Sequence, residues 1–238
     1  LMLMVEFFCG LNHVTQALLA ALFTWSVTAL GAALVFLFKT IKKNIMDAML
    51  GFAAGVMISA SFWSLLSPAI EMAENLKMVT WLVATAGFFS GGLLLFIGDK
   101  IFTKLSKNKK YNNNSFRRCL MLIFSITLHN IPEGLAVGVA FGSLSYGLDG
   151  TTLAATSLLA LGIGIQNFPE GTAVSVPLRR EGMSRKKAFF FGQLSGIVEP
   201  ISAVIGALLV TKIRLLLPFL LSFAAGAMLY IVSGELIP

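Results

Sequence analysis

The chain has 238 residues, 57% hydrophobic and only 12% charged, with a formal net charge of +7. So apolar and sparsely charged a composition excludes a soluble globular domain. Two cysteines, Cys9 and Cys119, and two histidines, His13 and His129, also exclude a disulfide scaffold and a Cys/His zinc finger.

In chain order, apolar runs long enough to cross a bilayer as helices occupy about 14–38, 46–70, 78–102, 119–144, 153–178, 188–210 and 215–237. The fold class expected is all-α: a polytopic membrane helix bundle forming one transmembrane domain over 1–238. No basic n-region precedes the first run, so no cleavable signal is read there. Of the 18 Lys and Arg, 15 fall in the first, third and fifth gaps, among them Lys42 and Lys43, Lys104 to Arg118, and Arg179 to Lys187. This asymmetry puts the odd gaps in the cytoplasm and the N-terminus outside, as in a bacterial-type inner (plasma) membrane protein. The basic charge therefore sets topology, and no nucleic-acid partner is expected. The stretch 104–118, KLSKNKKYNNNSFRR, reads as a flexible cytoplasmic loop whose Asn113-Asn114-Ser115 sequon is inert on that side.

A short repeat links the second and seventh spans, Phe52-Ala53-Ala54-Gly55-Val56-Met57 and Phe223-Ala224-Ala225-Gly226-Ala227-Met228. The charge map runs these two segments in opposite directions, the signature of an inverted repeat. Spans one to three then need counterparts six to eight, so an eighth span is expected that this sequence does not carry.

The chemistry lies in spans four to six. His129 and Glu133, Glu170, and Glu199 stand near mid-span, where an isolated charge costs roughly 2.5–3.5 kcal/mol. No Lys or Arg lies at that depth, which leaves protons or a cation to compensate them. The pattern [HQ]-N-x-P-E-G occurs twice, as His129-Asn130-Ile131-Pro132-Glu133-Gly134 and Gln166-Asn167-Phe168-Pro169-Glu170-Gly171, 37 residues apart. Helical spacing stacks His129 over Glu133 and Gln166 over Glu170, with Asn130 and Asn167 one turn before each carboxylate. Pro132 and Pro169 release the carbonyls of Leu128 and Ile165, and Gly134 and Gly171 allow close helix approach. Glu199-Pro200 repeats the carboxylate and kink. Gln166 taken alone reads equally as interhelical glue or as a ligand, whereas the His-Glu pair with two further mid-membrane Glu points to a cation site. His13 reads as interfacial, Gly162 and Gly164 as packing, and Trp25, Trp63 and Trp81 as packing or interface anchors.

These paired helices, followed by GQLSGIVEP, resemble the ZIP (Zrt/Irt-like protein) family of divalent metal transporters. QNFPEGTAVSVPLRREGMSRKKAFFFGQLSG resembles its GufA-like branch. The resemblance implies eight spans arranged 3+2+3 and transport of Zn²⁺, with Cd²⁺, Fe²⁺ or Mn²⁺ as further substrates, toward the cytoplasm through a binuclear mid-membrane site. It also implies that His129, Asn130 and Glu133, then Gln166, Asn167 and Glu170, and finally Glu199 are ligands. Met57 matches a second-span residue that reaches the first metal, and Glu71 and Glu235 match acidic positions near the outer and inner mouths. Many relatives carry His where Gln166 stands and some a carboxylate where Asn167 stands, so one metal position is expected to be tight and the other weak.

One imidazole, three carboxylates and amide oxygens suit borderline divalent ions, and the Irving–Williams order favours Zn²⁺ over Mn²⁺. The mechanism expected is alternating access. Glu133 and Glu170 bridge one ion with neutral His129, and Asn130, Asn167 and Glu199 hold a second. A channel would use the same ligands. An intramembrane metallohydrolase lacks its His-Glu-x-x-His, so no enzyme is expected. Divalent ions and the lipid bilayer are the expected partners, with a homodimer left open.

Overall fold

The computed structural model describes residues 8–38, 42–108, 114–147 and 152–233. Its long helices are α1 (His13–Leu37), α2 (Lys43–Asn75), α3 (Thr80–Asn108), α4 (Asn114–Ser143), α5 (Leu153–Arg180), α6 (Arg185–Lys212) and α7 (Leu217–Ile231). No strand occurs among the described residues. Polar side chains start several helices as expected: Asn12 accepts from the Thr15 N–H, Thr152 from that of Ala155 and Ser184 from that of Lys187. After α5, Gly182 takes φ +96°, which glycine adopts without steric cost, and Arg179 and Arg180 lie in the last turn, where cations suit the helix dipole.

Each expected span coincides with one helix, with three differences. The stretch 104–118, read as a loop, is helical at both ends, because α3 runs to Asn108 and α4 begins at Asn114; residues 109–113 lie outside the described residues. Its lysines and arginines are good helix formers, so polarity there marks solvation of helix ends rather than loss of helix. Within α2 the residues Ala60–Leu66 form a π-helical stretch. Finally, α6 is two segments, Arg185–Leu194 and Val198–Lys212, joined by a turn at 195–197. Pro200 sits in the first turn of the second segment, where its missing N–H removes no needed bond. The kink predicted at Pro200 is thus a helix restart just before it.

Among the described residues, four helical stretches are long and apolar enough to cross a membrane, namely His13–Leu37, Lys43–Asn75, Thr80–Gly98 and Arg185–Lys212; Leu217–Ile231 is a shorter apolar helix. α5, read as a span from the sequence, is not among them, and part of α4 lies outside the described side chains. The 30 residues of α4 and 28 of α5 would reach about 45 and 42 Å at 1.5 Å per residue. Length is therefore sufficient in both, and in α5 the polar run Gln166-Asn167-Phe168-Pro169-Glu170 lowers the mean hydropathy. Elsewhere the usual distribution is inverted: Leu30, Leu37, Trp63, Trp81, Phe89 and Leu158 are exposed, while Thr24, Thr28, Asn130, Gln166, Asn167 and Glu199 are buried. Apolar exteriors of this kind belong in lipid, where buried polar groups must be satisfied internally.

Three helix pairs make the closest contacts: α1 with α5, α4 with the second segment of α6, and α3 with α7. Each crossing is made by glycine against a neighbour's backbone. A Cβ on Gly31 would overlap the Phe168 carbonyl and one on Gly171 the Thr28 carbonyl. Likewise Gly134 and Gly138 lie on the Glu199 and Ala203 carbonyls, and Gly91 and Gly226 on those of Phe223 and Phe88. Such small-residue seams are how membrane helices gain packing energy without a hydrophobic driving force. Gly162 and Gly164 serve packing too, against Val56 and the Phe23 ring.

Candidate metal centre

The Asn-x-Pro-Glu-Gly motifs of α4 and α5 meet in the interior, with Asn130, Glu133, Gln166 and Asn167 fully buried and Glu170 1% exposed. Glu199, in the first turn of the second α6 segment, is fully buried beside them. Gln166 Nε2 donates to Glu133 Oε1 across the α4–α5 contact. Asn167 Nδ2 donates to Glu199 Oε2 at 2.9 Å and lies 3.3 Å from the Thr24 carbonyl, while Asn130 Nδ2 donates to the Ser195 carbonyl at 2.9 Å. Thr24 Oγ1 donates to Glu199 Oε2 at 2.5 Å, and Thr28 Oγ1 lies 3.3 Å from Glu199 Oε1.

Each of these amide N–H₂ groups faces a carboxylate or carbonyl oxygen that accepts from it. Their oxygens are then left over. Asn130 Oδ1, Gln166 Oε1 and Asn167 Oδ1 are buried without a hydrogen-bond partner among the described residues. An unsatisfied buried acceptor costs about 1–3 kcal/mol, so three in one polar layer make it the candidate site for a group that binds oxygen. Among the described residues no three His, Cys, Asp or Glu side chains form a metal-holding group by themselves. The donor set of this layer is accordingly mixed, carboxylates supplemented by amide oxygens.

His129 lies on α4 one turn before Glu133, but its side chain is outside the described part. Met57 is fully buried in the same apolar cluster as Ala136 and Val137 of α4 and Ile163 of α5, each one turn from a motif residue. Glu71 is exposed on α2 beside buried Met72 and Ala73, away from the polar layer, and Glu235 is outside the described residues. Of the two roles left open for Gln166, that of interhelical glue is filled, because its nitrogen ties α5 to α4, while its oxygen has no partner among the described residues.

The family model for ZIP zinc transporters matches residues 14–119 and 106–238. The chain belongs to the ZIP zinc transporter family. It is 40% identical to the zinc transporter ZIP11 of Xenopus tropicalis and 37% to that of Homo sapiens, over 96% of this chain and 90% of each relative. Identity to the zinc transporter GufA of Myxococcus xanthus is 34%, over 93% of this chain and 87% of the relative. As a ZIP protein with membrane-length apolar helices, the chain is an integral membrane protein.

What the sequence missed in this ZIP chain is the contribution of α1. Thr24 and Thr28 lie in an apolar run with no motif around them, where threonine commonly bonds its own helix. Their 3.0 and 3.3 Å contacts to the Ala21 and Thr24 carbonyls would pass for that ordinary behaviour. The only available signal was spacing, two threonines four apart on one helical face. Trp25 also goes beyond packing, since its Nε1 donates at 2.9 Å to the Gln193 carbonyl next to the α6 break.

Proposed function

We propose that the chain carries zinc through the membrane toward the cytoplasm, taking it at the buried layer of Glu133, Glu170, Glu199, Asn130, Asn167 and Gln166, with His129 and Met57 beside them. The observation that carries this reading is the set of three unpartnered amide oxygens amid buried carboxylates. They lie beside buried carboxylates, and a divalent cation satisfies such acceptors where an apolar or anionic group does not. Nitrogen and thioether donors at His129 and Met57 would favour Zn²⁺ and Cd²⁺ over Mg²⁺, with Fe²⁺ and Mn²⁺ behind zinc in affinity.

Two ions fit the division of donors. Glu133 and Glu170, with His129 and Gln166, would hold the first, while Asn130, Asn167 and Glu199 would hold the second and weaker one. Alternating access is the proposed mechanism, supported by the two glycine seams that make α1–α5 and α4–α6 separate tight pairs. A 3+2+3 inverted repeat accounts for the same two pairs, because exchanging α1 with α6 and α5 with α4 turns one into the other. In that arrangement α3 lies on Gly226 of α7, and an eighth helix would cover the corresponding Gly55 of α2, which has no atom within 4 Å. The apolar runs support seven spans in this chain and the charge map an N-terminus outside, in a plasma-membrane location. Transport, rather than hydrolysis, suits a site that offers one histidine.

Elemental analysis of purified wild type beside a His129→Ala/Glu170→Ala double variant tests the site. About one to two Zn²⁺ per chain, lost in the variant, is expected if these residues are the ligands. Metal indifferent to the substitutions would refute the assignment. In vesicles, ⁶⁵Zn flux that saturates with concentration is expected of a carrier, and flux that does not would make the protein a channel.

A further inference from the structure

We infer that Thr24 and Thr28 are positioning residues, whose hydroxyls latch the Glu199 carboxylate across the α1–α6 contact and thereby set the affinity of the second ion position. This inference rests on the proposed metal site and adds to it a helix that brings no ionisable ligand.

The two halves of the polar layer are built alike. Gly134 of α4 lies on the Glu199 carbonyl and Gly171 of α5 on the Thr28 carbonyl. One turn earlier, Asn130 Nδ2 reaches the Ser195 carbonyl of α6 and Asn167 Nδ2 the Thr24 carbonyl of α1. Residues 24 and 28 of α1 therefore stand to α5 as residues 195 and 199 of α6 stand to α4. At the second of these matched positions α6 carries a carboxylate and α1 a hydroxyl, and the two meet.

Hydroxyl donors can serve a carboxylate without adding charge of their own. Glu199 Oε2 accepts from Thr24 Oγ1 at 2.5 Å and from Asn167 Nδ2 at 2.9 Å. Among the described residues Oε1 takes only the longer 3.3 Å approach of Thr28 Oγ1, an oxygen that also lies 3.3 Å from the Thr24 carbonyl. A carboxylate accepts at about four lone-pair positions, so Oε1 keeps room for a cation while Oε2 is held. Partners that orient a ligand in this way typically govern metal affinity by 10–100-fold. Thr24, with the shorter bond, should matter more than Thr28.

The test is zinc binding to purified protein, together with ⁶⁵Zn uptake kinetics, for wild type, Thr24→Val, Thr24→Ser and Thr28→Val. Valine keeps the shape and removes the hydroxyl. Expected for Thr24→Val is a rise of about ten- to a hundredfold in the Kd of the weaker zinc and in KM, with kcat changed far less. Thr24→Ser should return both to the wild-type range, and Thr28→Val should give a smaller rise. Should Thr24→Val fail to fold, judged by helical circular dichroism and gel filtration, Thr28→Val decides alone, by whether its zinc affinity falls. Wild-type Kd and KM in the folded valine variants would overturn the latch and leave the metal site standing. A wild-type protein that binds no zinc would overturn the site and the latch with it.

Discussion

A buried amide has two ends, and in this protein they do different work. Gln166 spends its nitrogen on Glu133 and leaves its oxygen over, and Asn167 and Asn130 divide themselves in the same way. Replacing Gln166 by Leu would take away both the donor that steadies Glu133 and an acceptor for the cation. Removing one partner of a buried charged hydrogen bond costs about 1–3 kcal/mol or more, so KM for zinc should rise at least severalfold with helical content unchanged. Uptake kinetics check this, and an unaltered KM would reduce Gln166 to packing. The repeated motif already pointed to these residues, because a mid-membrane carboxylate is costly enough to announce itself in a sequence. Thr24 and Thr28 announced nothing. A threonine in an apolar helix is nearly neutral on its own, and its importance comes only from the carboxylate that folding brings against it.

At the scale of helices, glycine decides which pairs close. The seams at Gly31 and Gly171, and at Gly134 and Gly138, bring backbones together so tightly that one methyl group has no space. Gly134→Ala should force α4 from the Glu199 backbone, at the roughly 1–3 kcal/mol typical of overpacking. Gly162→Ala brings its methyl no closer than 3.7 Å to Val56 Cγ1 and should be neutral or gain up to about 1 kcal/mol from helix propensity. Thermal unfolding in detergent compares the two, and equal midpoints would contradict the seam. Helix positions were legible because apolar length and basic gaps mark spans directly. Their ends were not: α3 and α4 carry helix into 104–118, since lysine and arginine are as content in a solvated helix as in a loop. The break in α6 was foreshadowed by Pro200 but misplaced, because proline tolerates a first turn and so moves the interruption to the residues before it.

For the molecule as a whole, the proposed ligands compete between zinc and protons. Carboxylates and imidazole bind metal only when deprotonated, so acidification should weaken uptake at fixed zinc, and alkalinisation should restore it. An initial rate at subsaturating zinc that did not fall with pH would argue against carboxylate ligation. The all-helical plan and the family were readable from the chain, whereas the pairing of α1 with α5 and of α4 with α6 was not, because glycines mark a crossing without naming the partner. That pairing has a bearing on the return journey of an unloaded carrier. The bonds from Gln166 to Glu133 and from Asn167 and Thr24 to Glu199 all join one pair to the other. When cargo departs, the acids it leaves behind are received by neutral donors of the opposite pair. In the proposed cycle the bundle thus keeps the emptied ligands in place, and their charge is left to protons or a coupling ion.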